Sequence, residues 1–548
     1  MKLLFERIET LPRLAWCVQA ERGVPFVRVR LGSDVETGPD FFCEGAWAGE
    51  FASTDFECSQ LMGSGGKLDH DGLLFATPSH TMERLWVIRQ ADQLVVSNSC
   101  AFALAQAGDE PDPQYLLYGP KLASIARGLD KYVRAVPTRR GNRIRMFCYC
   151  NLRLGADHRL TECPKPPAPD FTDYADYTAF LQTQVAAIAR NANAPERRAR
   201  YRAIATISSG YDSAASAVLA SRIGCDEAIT FRSSRPSSRP EGADGVGDSG
   251  AAIAARLGMK VRTYDRFDYL QRTGFPEAEG GISEFLWLDE ALERRILITG
   301  FNGGAVWDRS NGAVGPFLRR KDTSGDTLSE FRLRVGFVHL AVPYLGATSH
   351  ASIDRISQSK EMHPWYTGNE YDKPIPRRLI EEAGVDRGMF GVAKRAVAVV
   401  AREEGFERTM TSASFADFFQ FVEAHRSLDL TARLALYRAL QPVAQLNRAF
   451  NRTVARASKM AGKPIWLPPI ILALWTRLGG LASTLFSFTG QSRSCFHATG
   501  SAVKQSPHPS AQLCWCHDTA HGVRLCRRPT ARGARPRSQG DRVIQVTQ

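Results

Sequence analysis

The chain has 548 residues, 44% hydrophobic and 23% charged, which fits a soluble globular protein of two or three domains, each able to bury its own core. Its net charge of +13 comes from 70 Lys and Arg against 57 Asp and Glu. The arginines are scattered through helices and loops, and part of the excess follows Phe488, which argues against a dedicated nucleic-acid surface. Twelve cysteines contain no Cys-x-x-Cys pair, so a zinc module has no support. The run Met1-Lys2-Leu3-Leu4-Phe5-Glu6-Arg7 is too short in apolar residues for a signal peptide, and a reduced, cytoplasmic protein is expected.

Residues 1–165 are expected to form a β-rich α+β domain. Stretches 14–18, 26–31, 85–89 and 94–97 are short, apolar and bounded by polar turns, as strands are. Residues 142–154 read as one more alternating strand, with Cys148 and Cys150 pointing the same way for packing. Pro164-Lys165-Pro166-Pro167-Ala168-Pro169 marks a linker, and 174–194 reads as an amphipathic helix opening a second domain, 170–465.

In that second domain, a strand at 204–207 empties into Ser208-Ser209-Gly210-Tyr211-Asp212-Ser213 and an Ala-rich helix. Small hydroxyl residues and a Gly let the backbone approach an anion, and the helix start aims unpaired N–H groups and a positive dipole end at it. A carboxylate among such amides implies a bridging cation, so Asp212 is expected to contact Mg2+. Further strands follow at 226–231 and 259–264, separated by a helix capped at Asp248-Ser249-Gly250 and stopped by Gly258. A fourth strand, from 296, ends in the glycine-rich turn Thr299-Gly300-Phe301-Asn302-Gly303-Gly304, which reads alternatively as a plain strand-to-helix joint with a buried Trp307. This alternation implies an α/β fold with a doubly wound parallel sheet and ligands at the carboxyl ends of its strands. Phe231 and Gly300, at such ends, join the nucleotide-contact candidates. Residues 232–247 are rich in Ser, Pro, Gly and Arg and are expected to form a loop over the site.

Residues 466–488 are apolar, but Pro468-Pro469, Arg477 and Gly479-Gly480 interrupt them, which favours a docked or interfacial helix over a membrane span. Residues 489–548 lack apolar periodicity and read as a disordered or aberrant tail, whose Cys514, Cys516, His517, His521 and Cys526 fit no standard zinc spacing.

The run from Ser208 to Ser213 resembles the loop Ser-Gly-Gly-x-Asp-Ser of the PP-loop superfamily (N-type ATP pyrophosphatases, adenine nucleotide alpha hydrolase-like), with Ser209 in place of the first Gly. Residues 81–107 resemble the glutaminase-like domain that precedes the synthetase domain of asparagine synthetases. In that domain the nucleophile is a Cys directly after the initiator Met. Lys2 stands at this position, and Cys17 and Cys43 lack the α-amine the mechanism needs, which implies a degenerate domain without glutamine hydrolysis. Residues 371–384 and 390–396 are similar to the C-terminal synthetase region, where a Lys reaches the phosphates; Lys394 is the match, with Arg377 and Arg378 next.

The resemblance implies an ATP-dependent, amide-forming ligase. A small-molecule carboxylate becomes an acyl-adenylate with release of pyrophosphate, and ammonia or an amine then takes the acyl group. Asp212 and Lys394 are the implied catalytic residues, Asp212 the Mg2+ ligand, and Ser208, Ser209, Gly210, Tyr211, Ser213, Phe231 and Gly300 the other ATP contacts. Ala305-Val306 stand where asparagine synthetases carry an acidic pair, which keeps a noncatalytic nucleotide-binding scaffold open. The basic charge keeps open a PP-loop enzyme acting on tRNA.

Overall fold

A computed structural model describes residues 1–391 except 58–59, 113–114, 116, 237–245, 272–284, 310–313, 321 and 369–370, together with 395–396, 411–413, 416 and 420. Lys394, the apolar segment 466–488 and the tail 489–548 lie outside the described residues.

The first 165 residues form two stacked sheets. One has seven strands in the order Lys2–Arg7, Phe26–Leu31, Trp16–Glu21, Gln93–Ser97, Leu85–Gln90, Arg143–Phe147 and Ala135–Pro137. The other has six, in the order Leu160–Pro164, Cys150–Leu154, Gly72–Ala76, Leu61–Asp69, Phe41–Trp47 and Glu36–Thr37. Period-two alternation decides which side chains meet between them: in Phe26–Leu31 the buried positions are Val27, Val29 and Leu31. They join Trp16, Phe42, Leu73 and Phe75 in a shared core. The opposite face of the seven-stranded sheet packs the helix Cys100–Gln106, which Ser99 caps by accepting from the Phe102 N–H.

One expectation fails here. Residues 142–154 are two strands in different sheets, because Tyr149 takes a left-handed conformation, φ 54°, that ends one strand and redirects the chain into the other. Cys148 is consequently buried while Cys150 is half-buried, and the two thiols do not share a face.

The rest of the described chain is built mainly on a third sheet, which is parallel, beside a small three-stranded one. The principal elements of this part are α1 (Tyr174–Ala192), β1 (Arg202–Thr206), α2 (Tyr211–Arg222), β2 (Glu227–Phe231), α3 (Ala251–Arg256), β3 (Lys260–Tyr264), β4 (Arg295–Thr299), α4 (Gly303–Val306), α5 (Ser329–Val335), β5 (Val338–Ala341) and α6 (Pro374–Glu382); the helices Asp289–Leu292 and His350–Gln358 lie among them. The strand order is β3-β2-β1-β4-β5, with every neighbouring pair parallel. Strands covered on both faces need apolar residues at successive positions. Ile204 and Leu297 pack with Phe285, Leu292 and Phe331 on one side, while Ala205 and Ile298 pack with Ala214, Ala217 and Val218 of α2 on the other. Strand order reverses at β1, and in open parallel sheets ligands bind beyond the carboxyl ends of strands at such a reversal.

The proline-rich stretch is not a free linker. Ala168 is held through both of its backbone polar groups, its N–H donating to Thr348 Oγ1 at 3.1 Å and its carbonyl accepting from Ser349 Oγ at 2.8 Å. Ala46, Met62 and Met82 of the β-rich part enter the core of the parallel sheet. Along the same seam, Arg332 on α5 pairs with Glu44 at 2.7 Å and with Glu83 at 2.7 Å, all three nearly removed from water. Among the described residues, no helix is long and apolar enough to cross a membrane.

Candidate functional site

At the carboxyl end of β1 the chain turns sharply into α2, and the hydroxyls of the turn hold its shape. Ser208 Oγ and Ser213 Oγ share a hydrogen bond of 2.7 Å, the Ser208 N–H donates to Ser213 Oγ at 3.1 Å, and the Gly210 N–H donates to Ser208 Oγ at 3.1 Å. Gly210 is the N-cap of α2, with φ −82° and ψ 160°. The first turn of α2 therefore presents N–H groups without helical acceptors at the mouth of this loop.

Ser209 replaces a glycine of the resembling loop without strain, since its backbone stays outside the left-handed region. Its side chain donates to Asp248 Oδ1 at 2.6 Å, and its N–H to the Asp248 carbonyl at 3.2 Å. Glycine is required instead at Gly250: a Cβ there would stand 2.7 Å from the Ser208 nitrogen.

The glycine-rich turn after β4 closes on the same helix start. A Cβ on Gly300 would overlap the Asp212 backbone, and one on Gly303 would come within 2.6 Å of Asp212 Cγ. These two glycines let the turn lie directly against Asp212. The turn is also fastened from behind, where Thr299 Oγ1 and His339 Nε2 are 2.9 Å apart. Burial and the Arg332 charge hold His339 down to about 3, so its ring is neutral. Ala305 and Val306 are buried in α4, and Trp307 is buried with its indole N–H donating to Tyr177 Oη at 3.0 Å. The strand-to-helix joint with a buried tryptophan describes this segment.

The third wall comes from residues 371–391. Lys373, 1% exposed, places its ammonium 2.6 and 2.7 Å from the two Asp212 oxygens, with Asp212 itself 24% exposed. Tyr371 packs against Tyr211 with centroids 4.9 Å apart, and burial together with the Asp212 charge pushes its phenol up. Arg377 donates to the Tyr211 hydroxyl, and the Gly391 N–H donates to the Ser209 carbonyl at 2.8 Å. Tyr211 is wholly buried by these neighbours, so its ring serves to pack the wall of the site.

Of the residues expected from the sequence, Ser208, Ser209, Gly210, Tyr211, Asp212, Ser213 and Gly300 thus converge on one spot. Phe231 does not join them. Its ring sits in an apolar cluster with Phe285, 5.5 Å away, and Tyr264, 6.4 Å away. Lys394 lies outside the described residues; the adjoining Arg395–Ala396 pairs with Pro236 and Arg235. Residues 233–236 and 246–247 are strands paired with each other, so part of the expected loop 232–247 is a hairpin. Lys373 escaped the sequence reading, and Asp248 was read only as part of a helix cap. The available signal for Lys373 was a lysine next to Pro374, which opens α6, within a stretch already matched by resemblance.

The donor set fits a magnesium ion in part. Mg2+ is typically held by one or two carboxylates with substrate phosphates completing its shell, and Asp212 is one such carboxylate. Lys373 already meets both of its oxygens, so metal and ammonium compete for that carboxylate. Among the described residues, a group of three potential ligands, Asp69, His70 and Asp71, is exposed at a hairpin turn of the β-rich part. Chemically, the site offers hydroxyls, helix N–H groups and a lysine to an anion, and one carboxylate to a cation. No protein-family model matches this chain, and no curated protein matches it.

Proposed function

We propose that this chain is an ATP-dependent, AMP-forming ligase of the asparagine synthetase-like kind, built on a doubly wound PP-loop domain. The observation that carries the reading is the meeting of Asp212 and Lys373 at a hydroxyl-lined loop and helix start, beyond the carboxyl end of the strand where sheet order reverses. Nucleotides bind at such switch points, and anions at such helix starts.

In the proposed reaction a substrate carboxylate oxygen attacks the α phosphorus of ATP. The bond from that phosphorus to the bridging oxygen breaks, and pyrophosphate leaves with the electron pair. The N–H groups at the start of α2, the Ser208 and Ser213 hydroxyls and the Lys373 ammonium offset the charge that grows on the leaving pyrophosphate. Magnesium, held by Asp212, would supply further neutralisation of the phosphates. Ammonia or an amine then attacks the acyl carbon, AMP departs, and a proton is lost from nitrogen. Glutamine hydrolysis is not part of the proposal. Burial pushes the Cys17 thiol up to about 12 and the Cys43 thiol well above its ordinary value, so neither is a ready nucleophile.

The test is Mg-ATP binding by calorimetry together with pyrophosphate release over a panel of carboxylates and amines, for the full chain and for Asp212→Asn. Tight binding and substrate-dependent pyrophosphate, both lost in the variant, are expected. Failure to bind ATP would sink the reading. Binding without turnover would favour a noncatalytic nucleotide binder, the alternative to which the buried Ala305 and Val306 point.

A further inference from the structure

Lys373 reaches Asp212 from a segment whose own anchorage is unusual. The neighbouring Asp372 is only 4% exposed, and all of its acceptors are engaged. Arg309 brings both Nε and Nη2 to Asp372 Oδ2 at 3.1 Å, and the Thr367 N–H donates to Oδ1 at 3.2 Å. The backbone repeats the connection, with the Arg309 N–H donating to the Asp372 carbonyl at 3.2 Å. Arg309 is fixed in turn: its guanidinium lies 4.2 Å over the Tyr366 ring, and its carbonyl accepts from Gln358 Nε2 at 2.8 Å.

The two ends of this clamp belong to opposite walls of the site. Arg309 lies two residues beyond the buried Trp307, just past α4, which follows the turn whose Gly300 and Gly303 lie against Asp212. Asp372 directly precedes Lys373 and the helix-opening Pro374. A lysine side chain has four rotatable bonds and is a poor positioning device by itself, so its Cα must be held if the ammonium is to meet one carboxylate.

We infer that Arg309 and Asp372 are positioning residues that bolt the glycine-rich turn to the Lys373 segment and so aim the Lys373 ammonium at the anion site. The inference rests on the ligase reading above and adds to it the part of the fold that sets where the leaving pyrophosphate is gripped. Neither Arg309 nor Asp372 touches the substrate; both act through Lys373.

A double-mutant cycle on the full chain tests this, reading the affinity for magnesium pyrophosphate by calorimetry. Asp372→Asn keeps the shape of the side chain and removes its charge, and Lys373→Met removes the ammonium. Asp372→Asn is expected to weaken pyrophosphate binding about tenfold in the wild-type background and less than about twofold once Lys373 is Met, because a residue that acts through another has nothing left to position. A similar loss in both backgrounds would overturn the assignment and make Asp372 merely structural. Arg309→Lys, which keeps the charge and loses the planar fork, carries the same cycle if Asp372→Asn melts early, and the same pattern is expected of it. Wild-type binding that Lys373→Met leaves unchanged overturns the clamp alone. No pyrophosphate binding by the wild type overturns the ligase reading itself.

Discussion

Arg332 and Lys373 are both cations almost removed from water, and they sit in regions that use them differently. At the seam between the β-rich part and the parallel sheet, Arg332 is 2% exposed, with Glu44 at 0% and Glu83 at 9%. The Phe337 carbonyl, Ser64 and Asn98 complete the network, so almost every charge there meets an opposite one inside the protein. At the strand-end site Lys373 is just as buried, but its partner Asp212 is 24% exposed. A closed pair holds two parts of a chain together. A pair with one member facing outward can exchange partners with a ligand, and that distinction, rather than burial itself, separates a joint from a binding site.

The largest expected effect breaks the joint. Arg332→Met strands two buried carboxylates and should cost about 3 to 5 kcal/mol of stability by urea denaturation. A loss below about 1 kcal/mol would mean that the seam tolerates bare carboxylates and is not closed as described. Next, Asp212→Asn is expected to lower pyrophosphate release about 100-fold, with a smaller change in stability than Arg332→Met shows. The reverse ranking would erase the contrast between the two regions.

A pH titration sharpens the comparison further. An imidazole ordinarily titrates near 6.5, and the folded protein holds His339 down to about 3. Between those values the unfolded chain takes up a proton that the native one refuses. Stability is therefore full above pH 6.5 and falls as pH drops below it, by about 1.4 kcal/mol per unit from His339. His339→Gln should flatten that acid limb by this amount, with the remaining slope coming from groups such as His80, which burial also holds well below its ordinary value. An unchanged slope would show that His339 is not refused its proton. The smallest effect is at the loop: Ser209→Gly loses the hydroxyl bond to Asp248 and relieves no left-handed strain, so a loss of about 1 kcal/mol is expected in thermal denaturation. A gain would mean that the serine backbone is strained after all.

How much was legible beforehand follows from how far apart the interacting residues lie. The parallel strands β1 to β4 and the loop from Ser208 to Ser213 were visible because apolar runs, small hydroxyl residues and helix caps are local signals. The break at Tyr149 was not, since the alternation of 142–154 continues through it and a tyrosine gives no warning of a left-handed turn. The apolar surroundings of the Phe231 ring were not legible either, because position at a strand end does not say which layer a side chain packs against. Lys373 was invisible in its role because the contact that defines it spans 161 residues, and Arg332 meets Glu44 across 288. No periodicity within a segment encodes such a meeting.

That separation has a consequence in time. A ribosome adds about 5 to 20 residues per second, so roughly ten to thirty seconds of synthesis pass between the emergence of Asp212 and that of Lys373, 161 residues later. During that interval the nascent chain carries the loop from Ser208 to Ser213 with its carboxylate still uncovered and its third wall unmade. Whatever occupies Asp212 first, whether a metal ion, a chaperone or water, must be displaced when Lys373 arrives, which makes closure of this pair a natural marker for completed folding.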